Sequence, residues 1–151
     1  MKLQARHDAP LPVAHLFDAF ADFEAHERAA VAAGATVTPL DQSPGLAPGR
    51  RWRVTFPFRG RLRKATLRLA ALRRPELMEL AGESPNLRFS SRTVFSALGP
   101  ARTRVEMVIE IEAKTLPFRL LLQSARLARG RYERRMTRRL ARFCERVAAR
   151  G

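Results

Sequence analysis

Residues 87–112 read LRFSSRTVFSALGPARTRVEMVIEIE, and this stretch decides how the chain folds. On both sides of Gly99-Pro100, apolar and polar residues alternate with a period of two, which is typical of strands with one buried face. Because Gly-Pro marks a turn, the two segments predict an antiparallel hairpin. Equal spacing from the turn predicts three pairs that face the core: Phe95 with Val105, Thr93 with Met107, and Ser91 with Ile109.

The same register places Arg88 and Arg92 on the outer face, near Glu110 and Glu112. Five more strands are predicted from period-two patterns and turn residues, at 2–7, 36–40, 50–58, 61–72 and 77–81. The segment 41–49 carries Pro44, Gly45, Pro48 and Gly49, so it is predicted to be a loop.

Helices are predicted before and after the strands. Pro12 suits the first turn of a short helix, Asp22 suits the N-cap of a second, and Gly34 suits its end. A single long helix is predicted from about Pro117 to the C-terminus, interrupted only by Gly130. Its apolar stripe steps by three or four residues: Leu121, Ala125, Ala128, Tyr132, Met136, Leu140, Phe143 and Val147.

Composition narrows the class of protein. The chain has 151 residues, the size of one domain, so we expect a single domain over 1–151. No membrane-spanning segment or signal peptide is predicted, and the single cysteine, Cys144, cannot form an internal disulfide, so a cytoplasmic protein is expected. Twenty-nine Lys and Arg against 14 Asp and Glu give a net charge of +15, which favours anionic partners or simply a solvated Arg-rich surface.

The order of these elements resembles the helix-grip fold of the START-like superfamily, also called SRPBCC. The resemblance runs along nearly the whole chain and looks most like the bacterial polyketide cyclase/dehydrase branch. The residues that carry it are Asp8-Ala9-Pro10, Asp22-Phe23-Glu24, Gly49-Arg50-Arg51-Trp52-Arg53-Val54, Thr103-Arg104-Val105-Glu106 and the terminal helix. It implies an α+β fold in which a curved antiparallel sheet of about seven strands, with two short helices, encloses a cavity under a long C-terminal helix.

Apolar strand faces turned toward that helix would surround a cavity suited to a hydrophobic or aromatic molecule, such as a lipid, quinone or polyketide. The predicted ligand-binding residues are Trp52, Phe56, Phe89, Ser91, Thr93, Phe95, Met107, Ile109, Tyr132 and Met136. A packed core made of the same aromatic and Met side chains is the alternative interpretation. A cyclase or dehydratase that uses Tyr132, Ser91 or Thr93 as proton relays is a second alternative function.

Other chemistry has little support in the sequence. No Asp, Glu or His is predicted on the inward faces, with Glu79 the nearest candidate for general acid–base work. His7, His15 and His26 lack a partner at metal-ligand spacing, so neither a metal nor a cofactor is expected. Cys144 is predicted to be a structural thiol inside the helix.

The terminal helix is strongly basic. From residue 118 to 150 it carries eleven arginines against Glu133 and Glu145. Docking of a basic adaptor on an anionic membrane or on ribosomal RNA is the weaker alternative function, and sequence-specific DNA binding is not expected. The candidate docking residues are Arg131, Arg134, Arg135, Arg138, Arg139 and Arg142.

Overall fold

Seven antiparallel strands form one sheet in the computed structural model, which describes residues 1–41 and 45–150. The strands are β1 (Lys2–Ala9), β2 (Thr36–Pro39), β3 (Arg51–Phe58), β4 (Arg61–Arg73), β5 (Leu77–Glu83), β6 (Leu87–Gly99) and β7 (Arg102–Ala113). Their order across the sheet is β1-β7-β6-β5-β4-β3-β2. A bulge between Leu69 and Ala71 shifts the pairing of β4 with β5, and such bulges bend a strand.

The central hairpin has the predicted register. β6 and β7 pair Phe95 with Val105, Thr93 with Met107 and Ser91 with Ile109. On the outer face, Arg88 lies 3.5 Å from Glu112 as predicted, whereas Arg92 pairs with Glu79 of β5 rather than with Glu110. The alternation of apolar and polar residues, together with the Gly-Pro turn, therefore sufficed to predict which side chains lie on each face of the hairpin.

Two short helices follow β1. Helix α1 spans Val13–Phe20 and α2 spans Phe23–Ala32. Asp22 caps α2 as predicted, because its Oδ1 accepts a hydrogen bond from the backbone N–H of Ala25 at 3.1 Å. Gly34 ends this segment with φ of +98°, a left-handed conformation that glycine adopts without steric cost.

The predicted single terminal helix is in fact two helices, α3 (Leu116–Arg126) and α4 (Arg129–Arg150). The last turn of α3 tightens: the N–H groups of Leu127 and Ala128 donate to the carbonyls of Ser124 and Ala125, three residues back. Such bonds satisfy helix-end carbonyls and stop propagation, and Gly130 directly after the break weakens helix formation further. Leu121 and Ala125 therefore belong to a separate helix, not to the stripe of α4.

The core lies between α1, the sheet and the C-terminal half of α4. Phe95 of β6 contacts Phe17 and Phe20 edge to face, with ring centroids 5.2 and 5.1 Å apart. Leu140, Cys144 and Val147 of α4 are buried in the same cluster. Burial decreases toward the N-terminal half of α4, so this half lies over a space that the core does not fill.

Residues 42–44 of the predicted loop, Pro44 among them, lie outside the described residues. Within the described chain, none of the helices combines the length and apolarity that crossing a lipid bilayer requires.

Candidate functional site

A cavity of about 580 Å³ lies beneath the N-terminal half of α4. Its sheet side is formed by β1, β5, β6 and β7, and its other sides by α1, α2 and α4. The lining residues are Leu3, Phe20, Phe23, His26, Met78, Leu80, Ser91, Thr93, Met107, Tyr132, Arg135, Met136, Arg139, Leu140 and Phe143. The predicted cavity is thus present, and its volume lies within the range of roughly 300–1,000 Å³ that is typical of small-molecule sites.

The cavity changes character from floor to rim. Its floor is apolar and buried, formed by Phe20, Met78 and the methyl-bearing Thr93, whose exposed fraction is 4%. Its rim is polar and open to solvent, formed by Tyr132, which is 38% exposed, and by the exposed Arg135 and Arg139. A bound molecule would therefore meet apolar surface at one end and hydrogen-bond donors at the other.

A second cavity of about 270 Å³ adjoins the first, sharing Phe23, His26 and Leu80 with it. Trp52 lines this cavity and donates from Nε1 to Oε1 of Glu27 at 2.9 Å. Because the indole N–H is satisfied by a carboxylate, Trp52 can be buried without an orphaned donor.

His26 stands between the two cavities, a placement that the sequence pattern did not indicate. Its Nε2 lies 2.9 Å from the carbonyl oxygen of Phe20, and its ring lies against Phe23 and Phe143. A carbonyl can only accept, so Nε2 is the donor in this contact and Nδ1 is left for other partners. The clue available in the sequence was its position, three residues after Phe23 on an amphipathic helix.

The structure gathers only part of the predicted ligand-binding set around the larger cavity. Five of the ten predicted residues line it: Ser91, Thr93, Met107, Tyr132 and Met136. Trp52 lines the smaller cavity instead. The remaining four residues line neither cavity: Phe56, Phe89, Phe95 and Ile109.

Two of these four, Phe95 and Phe89, pack against other parts of the fold. Phe95 packs into the aromatic core against Phe17 and Phe20. The ring of Phe89 covers Gly82, its partner on β5, in the space that a Cβ would occupy. Period two assigns Phe56 and Ile109 to the inner face, but it does not indicate how far along a strand the cavity extends.

Glu79, the candidate general acid or base, lies outside the cavity. It faces the outer surface of the sheet, with Oε1 3.5 Å from Nε of Arg92. Among the described residues, no three His, Cys, Asp or Glu side chains come together as a metal-binding group.

Cys144 lies on the core-facing side of α4 and is fully buried. Burial raises the pKa of its thiol to about 11, and the carboxylate of Glu145 adds to this shift. The thiol therefore stays protonated at neutral pH and packs as a small apolar group.

The six candidate docking arginines of α4 are exposed, and the ion pairs of the described residues include none of them. Their predicted placement on one face opposite the apolar stripe is wrong for two of them. Arg135 follows Tyr132 by three residues and Arg139 precedes Leu140, so both flank the stripe and reach the cavity rim.

Glu133 attaches the N-terminal half of α4 to the edge of the sheet. Its Oε2 accepts a hydrogen bond from the backbone N–H of Gln4 in β1 at 2.8 Å, while Oε1 lies 3.7 Å from Arg129. This contact holds the helix at the open side of the cavity, where few apolar contacts anchor it.

Exposed leucines on α3 and at its C-cap form a feature that the sequence pattern did not predict. Leu116, Leu120 and Leu127 are 65%, 56% and 92% exposed. The β3–β4 hairpin lies beside this helix, because the guanidinium of Arg63 is 5.6 Å from the ring centroid of Phe118.

Comparison with known proteins supports the fold through structure rather than sequence. No family model matches the chain, and no curated protein matches it either. Among solved structures, TTHA0849 from Thermus thermophilus is similar with a TM-score of 0.68 and 17% identity, covering 100% of this chain and 99% of that one. Ara h 8.0201 is similar with a TM-score of 0.64 and 15% identity, covering 99% and 98%.

The Zhui aromatase/cyclase from Streptomyces sp. R1128 is also similar, with a TM-score of 0.58 and 14% identity over 76% of this chain and 69% of that one. Together with the seven-stranded sheet and the long C-terminal helix, these likenesses confirm the predicted helix-grip fold.

Proposed function

We propose that this protein binds and carries an apolar or aromatic small molecule in the cavity between the sheet and α4. The observation that carries the proposal is the cavity of about 580 Å³, whose floor is apolar while Ser91 and Thr93 offer two hydroxyls. An apolar site with a few placed polar groups is the usual chemistry of small-molecule binding, and lipids, quinones and polyketides all fit this description.

A pair of variants tests the proposal. Ser91→Phe places a ring inside the cavity, whereas Ser90→Phe places the same ring on the outer face of the same strand. Binding of the neutral fluorescent hydrophobe N-phenylnaphthylamine should weaken about tenfold or more in Ser91→Phe and stay unchanged in Ser90→Phe. Circular dichroism checks that both variants fold. Equal binding by both variants, or none by the parent protein, contradicts the carrier function.

A cyclase or dehydratase in the same cavity is the second candidate. His26 favours it, because its Nδ1 is available for proton exchange at the junction of the two cavities. The aromatase/cyclase activity named for one similar structure supports this candidate by analogy of fold. If a molecule that co-purifies with the protein is converted by freshly prepared parent protein but not by the His26→Gln variant, the enzyme is favoured. If the molecule remains unchanged after incubation with the parent protein, the carrier is favoured.

Docking on an anionic bilayer is a further candidate, compatible with a carrier. It is favoured by the exposed leucines of α3 and its C-cap, which precede the Arg-rich face of α4, since interfacial helices combine apolar insertion with basic residues. Each basic residue near such a surface contributes about 1 kcal/mol. Anionic vesicles should therefore bind at low salt, and the binding should fall as the Debye length shrinks from ~30 Å at 0.01 M to ~8 Å at 0.15 M.

Two variants separate bilayer docking from binding to RNA. Replacing Leu120 and Leu127 with serine should weaken vesicle binding but leave RNA binding unchanged, because only a bilayer accepts inserted apolar side chains. Replacing Arg134, Arg138 and Arg142 with glutamine should weaken binding to either anion. If the parent and all variants co-sediment with vesicles and with RNA to the same extent at physiological salt, this candidate is wrong.

A further inference from the structure

The rim of the larger cavity carries two arginines that the carrier function alone does not explain. Arg135 and Arg139 both line the cavity, and neither takes part in any ion pair of the described residues. They are one helical turn apart, which brings their Cβ atoms to roughly 5–6 Å of each other. Long side chains that start from Cβ atoms at that spacing can bring both guanidinium groups to a single anionic group.

No acidic side chain compensates this charge inside the cavity. The described lining residues include no Asp and no Glu. Glu133, the nearest carboxylate in sequence, is already engaged with the N–H of Gln4 and with Arg129. The rim is therefore positive, and the nearby Tyr132 hydroxyl adds a further hydrogen-bond donor.

The floor of the cavity, in contrast to the rim, suits an uncharged, apolar part of a ligand. Phe20, Met78 and Met107 offer apolar surface and no charge. A molecule that satisfies both ends is long or flat, apolar over most of its length, and anionic at one end. Guanidinium forks suit the oxygens of a carboxylate or a phosphate, because they donate two parallel hydrogen bonds.

We propose that the ligand of this cavity is an amphiphile with an anionic head, a carboxylate or a phosphate monoester, held at the rim by Arg135 and Arg139 with its apolar part on the floor. This inference rests on the proposed ligand-binding function and names the chemical class of the ligand. It also assigns these two arginines a different role from the other arginines of α4, whose side chains line neither cavity.

Three probes with the same ten-carbon chain test the head group: decanoate, decyl phosphate and decanol. Each is titrated against the protein loaded with N-phenylnaphthylamine, below its micellar concentration. Decanoate and decyl phosphate should each displace the dye at about a tenth of the concentration that decanol needs, since paired charge-assisted hydrogen bonds favour the anions.

A matched pair of double variants locates the effect. Arg135→Gln with Arg139→Gln should abolish the preference for the anions while leaving displacement by decanol unchanged. Arg134→Gln with Arg138→Gln removes the same charge at the same spacing on the same helix, away from both cavities, and should keep the parent's preference for the two anions over decanol in this displacement assay.

The outcomes separate this inference from the function on which it rests. If decanol displaces the dye as well as the two anions do, the cavity binds apolar molecules and the anionic head is wrong. If both double variants lose the anion preference equally, the net charge of the helix and not the rim is responsible, which also overturns the inference. If the parent binds no dye at all, the proposed function itself fails.

Discussion

The two halves of α4 cover different kinds of surface. The C-terminal half buries Leu140, Cys144 and Val147 against α1 and the sheet, where three phenylalanine rings pack edge to face. The N-terminal half places Met136 and Tyr132 over Ser91 and Thr93, and a cavity remains between them. One helix therefore closes a core at one end and covers a site at the other.

Side-chain size on the sheet explains the difference. At the packed end, Phe95 meets the rings of Phe17 and Phe20, which α1 supplies. At the open end, the inner face of β6 carries small hydroxyl side chains, Ser91 and Thr93, at successive inward positions. Small residues on the sheet opposite medium-sized ones on the helix leave volume that no side chain fills.

Thiol reactivity should show the largest contrast between the two halves. A Ser91→Cys variant carries one thiol in the cavity and keeps Cys144 in the core of the same molecule. Because burial raises the pKa of Cys144 to about 11, only about one in a thousand of the Cys144 thiols is ionised at pH 8. Iodoacetamide should therefore alkylate the thiol introduced at position 91 at least about a hundredfold faster than Cys144.

Peptide mass spectrometry during the reaction reads both sites from one sample. Alkylation in denaturant, where both cysteines should react at similar rates, is the control. Similar rates for the two cysteines in the native protein would mean that the core and the cavity are equally accessible, which would remove the contrast between the two halves.

Truncation of side chains should give the next largest contrast. Phe95→Ala at the packed end should lower the free energy of unfolding by about 3–5 kcal/mol, because it removes a ring enclosed by others. Met136→Ala at the open end should cost about 1 kcal/mol or less, because its side chain already borders empty space. Urea unfolding of both variants measures the two values, and comparable losses would show that the open half is packed.

The sequence predicted the packed half better than the open half. The register of β6 and β7 followed from alternation and one turn, because a slip of one residue would expose the apolar face. The position of the cavity did not follow, since a helical stripe indicates which side of α4 faces the sheet but not how far from it the helix lies. The roles of His26, Arg135 and Arg139 depend on that distance and on the reach of long side chains, so period and spacing did not reveal them.

Ion pairs on the outer face of the sheet should contribute least to the stability of the protein. The side-chain hydrogen bonds from Arg104, at 2.9 and 3.1 Å, hold the pKa of the Asp8 carboxyl below its usual range. A carboxyl whose pKa is lowered by folding stabilises the protein above its unfolded pKa, near 3.8, and loses this contribution as the pH falls through the folded value.

Asp8→Asn should therefore lower the melting temperature slightly at pH 7, by about a degree or two at most, because the pair lies at the partly exposed outer surface of the sheet. The difference from the parent should shrink below about pH 4 as Asp8 becomes protonated in the parent. A thermal unfolding series from about pH 3 to pH 7 measures it. A difference that grows as the pH falls would contradict the assigned direction of the pKa shift.

Native mass spectrometry of protein purified from its own host decides whether the open half of α4 covers a ligand site. We predict a peak heavier than the apoprotein by the mass of one small molecule, present in the parent and in Ser90→Phe and absent in Ser91→Phe. Collisional release of that molecule should give its mass, and detection in negative-ion mode would match an anionic head. A mass equal to that of the bare chain in the parent, together with no binding of added N-phenylnaphthylamine, would mean that the open half of α4 covers no ligand site.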